Sequence, residues 1–225
     1  MRGKNPIRPP LKGDGFSLDV KHIFPTLQGE GPFAGVPAVF LRLGGCNLAC
    51  DFCDTDFEDF EGQPVSAIIE RIGTLSRNED GEVARRLVVI TGGEPFRQEI
   101  GPLCETLLAK DYQVQIETNG TLYREVPEAV SIVCSPKRGK QGYLTPRPDL
   151  LARANALKFL VSANREDYGG VPELGQSELG VPVYVQPMDE YDEGKNRANR
   201  ALAVALTMEK GYRLSLQLHK LLGIE

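Results

Sequence analysis

Six short polar or glycine-rich motifs each stand at the end of an apolar, β-rich run in this 225-residue chain. They are LGGCNLAC (43–50), TGGEP (91–95), ETNG (117–120), SPK (135–137), QPMD (186–189) and QLHK (217–220). Helical patterns lie between several of them. Val65, Ile68, Ile69, Ile72 and Leu75 follow Pro64 at helical spacing, and Ile100, Leu103, Cys104, Leu107 and Leu108 share one face. A further helix is expected at about 195–210, closed by Gly211. Strand–helix alternation with apolar strands predicts an α/β fold built on a parallel sheet, open or curled into a partial barrel. In such folds ligands bind at the carboxyl edge of the strands, where the loops converge. Six motif-bearing strand ends therefore imply one extended site along one rim.

Neither a long linker nor an internal repeat divides the chain. Residues 1–19 carry Pro, Gly and basic residues without an apolar run, and read as an N-terminal extension, a flexible or wrapping arm. Residues 20–225 read as a single domain. A net charge of −5 argues against unspecific adhesion to nucleic acid or an anionic membrane. No apolar run approaches the roughly 20 residues of a membrane helix, and no apolar stretch follows the basic N-terminus as a secretory signal requires. A cytoplasmic location is expected. There, clustered cysteines serve metals or catalysis rather than disulfides.

Three of the five cysteines, Cys46, Cys50 and Cys53, show CxxxCxxC spacing. Thiolates suit zinc or an iron–sulfur cluster. Structural zinc wants four closed ligands, and no fourth is local. His22 and His219 are distant, while Cys104 and Cys134 fall in apolar segments and are expected in the core. Three ligands on a four-iron cluster leave one iron open, and the amino and carboxylate groups of a methionine can chelate it. A non-catalytic iron–sulfur or zinc protein stays open at this point.

CNLACDFC, with Phe52 before the last cysteine, matches the CxxxCxΦC signature, and together with TGGEP it resembles the radical S-adenosylmethionine (SAM) superfamily. The resemblance implies an incomplete (β/α) TIM-like barrel with a shortened core. It also implies a 4Fe-4S cluster on Cys46, Cys50 and Cys53, with SAM on the open iron. Gly93 would then meet the methionyl amino group. Ser135, Pro136 and Lys137 would face a carboxylate or ribose, Glu117 a ribose hydroxyl, and Gln186, Pro187, Met188 and Asp189 the adenosine end.

TLQGEG (26–31), CDTDF (53–57), ETNGT, SPK, QPMD and HK recur in this order in the 7-carboxy-7-deazaguanine synthase family, which the chain resembles from about residue 20 to 223. The resemblance implies ring contraction of 6-carboxy-5,6,7,8-tetrahydropterin with loss of ammonia, dependent on Mg²⁺, in the route to queuosine. Leu27, Gln28, Gly29, Glu30, Arg42, Thr91 and His219 would meet substrate, Arg42 through its carboxylate. Thr55 would offer a hydroxyl to Mg²⁺, with Asp54 and Asp56 beside it. The last residue, Glu225, stands where the family closes its pocket. A homodimer and an external electron donor of flavodoxin or ferredoxin type are implied as well. A glycyl-radical-enzyme activase shares the cysteine motif, but its chemistry has no use for TLQGEG or Thr55.

Overall fold

The computed structural model describes residues 5–50, 53, 55–140 and 142–224. β1 (Ser17–Leu27) leads to β2 (Pro37–Leu43), β3 (Glu61–Pro64) and α1 (Val65–Leu75). β4 (Leu87–Gly92), α2 (Gly101–Ala109), β5 (Gln113–Thr118) and β6 (Ser131–Cys134) follow. A small hairpin, β7 (Arg138–Gly139) and β8 (Gly142–Tyr143), precedes α3 (Pro148–Arg153) and β9 (Ala156–Val161). Then come α4 (Gln176–Leu179), β10 (Val183–Pro187), α5 (Glu193–Lys210), β11 (Arg213–Leu214) and α6 (Leu218–Leu222).

Among the described residues, nine strands form one sheet in the order β11-β10-β9-β6-β5-β4-β2-β1-β3. All neighbours from β11 to β2 are parallel, while β1 runs antiparallel to β2 and β3. The two ends of this order do not pair, so the barrel is incomplete. Its helical layer is thin: no helix joins β5 to β6, and α3 has only 6 residues. α5 obeys its end signals, with the Asp192 side chain accepting from the Lys195 N–H and Gly211 in the left-handed region.

β1 is a strand that the apolar runs do not announce, because Pro25 interrupts its pattern. Beyond Val20 it pairs only with β2, and proline is tolerated where a strand has a single neighbour. Ser17, Leu18 and Asp19 thus belong to the sheet. Residues 5–14 lie as an arm across the cysteine loop: the Arg8 N–H donates to the Cys46 carbonyl at 2.7 Å, and the Leu11 N–H to that of Arg97 at 2.7 Å.

Strand alternation sorts the side chains between the two faces. Leu41, Val88, Ile90, Val114, Ile116, Ile132, Leu157, Phe159 and Val185 belong to one large buried cluster, shared with Ile68 and Ile72 of α1 and Leu103 and Leu107 of α2. Cys104 and Cys134 sit in that core, as expected. On the opposite face, small apolar groups fill the lower part, Ala38, Leu87 and Val89 at one place and Val133, Ala156 and Tyr184 at another. Further along the same strands and on the same parity come Arg42, Thr91, Glu117, Ser135, Lys158 and Gln186. The register sets Arg42 against Thr91 and Lys158 against Tyr184. The carboxyl half of the concave face is therefore polar by construction.

Arg97, just after TGGEP, is 2% exposed and anchors the cysteine loop from behind. Its guanidinium donates to Asp19 Oδ2 at 2.7 Å and to the Gly44 carbonyl at 3.0 Å. Replacing it leaves both acceptors without their donor in a sheltered place. Arg97→Ala is expected to lower the stability of the metal-free protein by about 3 kcal/mol in urea unfolding; a midpoint matching the parent protein would contradict this role.

Candidate active site

The cysteine loop leaves β2 and is met at once by TGGEP. Gly92 has φ +125, and a Cβ there would strike the Leu43 carbonyl at 2.2 Å. A Cβ on Gly93 would lie 1.8 Å from the Gly45 carbonyl. Only glycines let these two backbones run together. The Gly93 N–H donates to the Leu43 carbonyl at 3.1 Å and the Glu94 N–H to that of Gly45 at 3.1 Å. Gly93 itself lines the cavity, with its N–H already engaged.

Glu94 ties this turn to ETNG. Its carboxyl accepts from the Phe96 N–H, the Asn119 N–H at 2.8 Å and the Thr118 hydroxyl at 2.7 Å. Burial still pushes it up to about 7 against those hydrogen bonds. Asn119 in turn donates to Asn47 Oδ1 at 2.9 Å and approaches Cys46 Sγ at 4.0 Å.

Cys46, Cys50 and Cys53 line one cavity. Cys104 and Cys134 cannot join them, since both are enclosed in the core and burial pushes their thiols up to about 12. Among the described residues, no three His, Cys, Asp or Glu gather tightly enough for a single metal ion. Three soft donors around a shared space, with no fourth, fit a group larger than one ion that keeps an open corner. The donor set thus fits a 4Fe-4S cluster and disfavours a structural zinc.

Across the cavity stands a buried charge cluster. Lys158 Nζ, on β9, pairs with Glu30 and lies 2.7 Å from Glu117 Oε2. Glu117 also accepts from Gln28 Nε2 at 3.0 Å and Gln115 Nε2 at 3.1 Å, and Glu30 from Gln217 Nε2 at 2.9 Å. Burial alone would raise the Glu30 carboxyl, but the Lys158 ammonium and the Gln217 amide hold it at about 2. Its two carboxylate partners likewise outweigh burial at Lys158 and raise it.

Of the residues expected in the site, Glu30, Arg42, Thr55 and Thr91 share the cavity wall with the three thiols. So do Gly93, Glu117, Ser135, Lys137, Gln186, Met188 and Asp189. Lys137 Nζ donates to Ser135 Oγ at 2.8 Å, and Arg42 to Thr55 Oγ1 at 2.9 Å. Leu27, Gln28, Gly29, Pro136, Pro187 and His219 stand outside the wall. Gln28 is a buried strut, its amide spanning from Glu117 to the Glu30 N–H. Gly29 gives His219 room, for a Cβ there would meet His219 Nδ1 at 2.5 Å. Phe52, Asp54 and Glu225 lie outside the described residues. The wall also holds Lys158, Asn5, Asn119, Gln217 and Lys220, which the strand-end motifs do not single out as binding groups. Lys158 had a signal: a lone cation inside the apolar run ALKFLVS must be paired where it is buried.

A thiol loop, a glycine turn against it and a polar concave rim define a radical SAM domain, and the Radical SAM superfamily model matches residues 41–133. The 7-carboxy-7-deazaguanine synthase of Rickettsia prowazekii is 56% identical over all of this chain and 96% of its own length. That of Rhodospirillum rubrum is 44% identical, end to end in both. The crystal structure of QueE from Escherichia coli superposes with a TM-score of 0.68 at 26% identity, covering 89% of this chain and 94% of that one. The chain belongs to the 7-carboxy-7-deazaguanine synthase family of radical SAM enzymes. No helix among the described residues is long and apolar enough to cross a membrane.

A carboxyl held below its ordinary 4.5 stabilises the fold above that pH, and the contribution disappears as pH falls from about 4.5 toward 2. Lys158→Met leaves Glu30 without its cation, which favours its protonated form. Relative to the parent protein, the variant is expected to be less stable at neutral pH and to recover on acidification through that window. Urea midpoints from pH 3 to 7 check this (roughly the carboxylate range), and parallel profiles would refute the assignment.

Proposed function

We propose that this enzyme converts 6-carboxy-5,6,7,8-tetrahydropterin to 7-carboxy-7-deazaguanine with release of ammonia, in the Mg²⁺-dependent step toward queuosine and other 7-deazapurines. The observation that carries the reading is one cavity whose wall holds the three thiols together with Glu30, Arg42, Thr55 and Thr91. Held by Cys46, Cys50 and Cys53, a 4Fe-4S cluster would supply the electron that cleaves SAM into methionine and a hydrogen-abstracting radical.

The chain's own groups bind and orient. The Gly93 carbonyl suits the methionyl amine, the Ser135–Lys137 pair its carboxylate, and the loop from Gln186 through Pro187 and Met188 to Asp189 the adenosine. Phe52 and Pro136 are proposed to flank that cofactor. Glu30, kept ionised by Lys158, is an acceptor for the amino and N–H edge of the pterin. Arg42 offers a bidentate fork to its carboxylate. Arg42 already touches the Thr55 hydroxyl, so a carboxylate on the arginine and a Mg²⁺ on the threonine would be neighbours. Leu27, Gln28 and Gly29 are proposed to meet substrate through their backbone, with His219 and Glu225 closing over it.

A cytoplasmic homodimer served by a flavodoxin- or ferredoxin-type donor completes the proposal. Exposed Met208, Leu221 and Leu222 supply apolar surface for a second copy.

Anaerobic reconstitution with iron and sulfide, then incubation with SAM, a reductant, Mg²⁺ and the carboxytetrahydropterin, should yield the deazaguanine product. SAM cleavage without that product would remove the substrate assignment. Thr55→Ala should weaken Mg²⁺ stimulation by about 10-fold or more while leaving the cluster spectrum intact; an unchanged metal response would take Thr55 out of the magnesium site.

A further inference from the structure

The N-terminal arm reaches the site itself. Asn5 lies in the cavity wall with the thiols. Its Nδ2 donates to the Thr55 carbonyl at 2.8 Å and to Cys53 Sγ at 3.6 Å, and its Oδ1 accepts from the Phe57 N–H at 2.9 Å. One amide thus closes the stretch from Cys53 to Phe57, the segment that carries the last thiol and the threonine. Three residues on, the arm is fastened to the backbone of Cys46, the first cysteine. Ile7 bridges to Cys46, the Arg8 N–H donates to the Cys46 carbonyl at 2.7 Å, and Arg8 pairs with Glu58.

From this we infer that Asn5 is a positioning residue for the cofactor, donating an N–H···S hydrogen bond to the Cys53 ligand and setting the reduction potential of the cluster. The inference rests on the proposed cluster at Cys46, Cys50 and Cys53. An N–H aimed at a ligand sulfur favours the more negative, reduced state, so it raises the potential. The same amide holds the Thr55 backbone, so donor and loop geometry are joined in one side chain. Groups that orient a metal's ligands contribute strongly to metal retention although they never touch the metal.

The two halves of the amide separate the roles. Asn5→Asp keeps an acceptor for the Phe57 N–H, removes the donor to Cys53 and the Thr55 carbonyl, and adds a negative charge. Asn5→Leu removes both halves. Each variant is to be prepared without metal, tested for thermal unfolding, then reconstituted anaerobically. The midpoint potential is read by electron paramagnetic resonance titration, and iron retention by timed exposure to a chelator. Asn5→Asp is expected to unfold cooperatively as apo-protein, at a temperature no lower than that of Asn5→Leu, yet to show a more negative potential and lose iron about 10-fold faster than the parent.

Parent-like potential and retention in Asn5→Asp would overturn the inference, whatever Asn5→Leu does. Loss of stability and iron in Asn5→Leu alone would assign the arm a structural part only, which also overturns it. Failure of the parent protein to take up a cluster at all would instead sink the reading beneath it.

Discussion

A buried ammonium between two carboxylates organises the concave face. Lys158, Glu30 and Glu117 come from β9, from the turn after β1 and from β5, segments far apart in sequence. Removing three charges from water is costly, and the mutual attraction offsets this only when every remaining donor and acceptor is also met. Here Gln28 and Gln115 donate to Glu117, and Gln217 donates to Glu30. The cluster carries one net negative charge facing the cavity, suited to the donor-rich edge of a flat heterocycle. Its stiffness has a further consequence. A carboxylate already fixed by two donors, as Glu30 is, loses little freedom when a ligand arrives.

Strand parity explains why such a cluster can exist without weakening the core. The helix-facing side of the parallel strands is apolar along most of its length, with Thr118 at the end of β5 the polar exception, so the hydrophobic cluster runs on beneath the site. The concave side changes character along each strand, from Val89 to Thr91, from Val133 to Ser135 and from Tyr184 to Gln186. Each change takes two residues, the shortest step that stays on one face. Apolar packing therefore secures the strands at their amino ends, and the carboxyl ends are left for chemistry.

The parallel strands, α1, α2 and α5 were legible from the sequence, because apolar runs of this length with clear stops leave few alternatives. The rim was legible for a related reason: Gly, Pro and polar residues behind apolar runs mark where strands stop and ligands sit. β1 was not, because HIFPTLQ carries a proline whose tolerance depends on having one neighbour, a fact of pairing and not of local pattern. Lys158 escaped because attention to strand ends overlooks a strand interior, although its charge in ALKFLVS was visible. Asn5 carried no signal at all. Its partners lie about fifty positions away, and only the path of the arm brings them together. Whether the sheet closes is likewise fixed by edge pairing that periodicity does not encode.

Between β2 and β3, the described residues that hold the thiols have almost no regular structure of their own, and such a loop must be held from outside. Gly45 is tied to the Phe57 carbonyl at 3.0 Å. Phe60 packs over Gly44, where a Cβ would meet its ring at 2.2 Å, with the Arg8 and Arg97 guanidinium groups each 5.9 Å from the ring centre. The chain's other end performs the same service for the opposite wall. The Leu218 N–H donates to the Gly29 carbonyl at 3.2 Å, and Lys220 pairs with Asp189 at 3.1 Å. Residues 5–8 and 218–220 thus brace irregular loops that the sheet alone cannot fix.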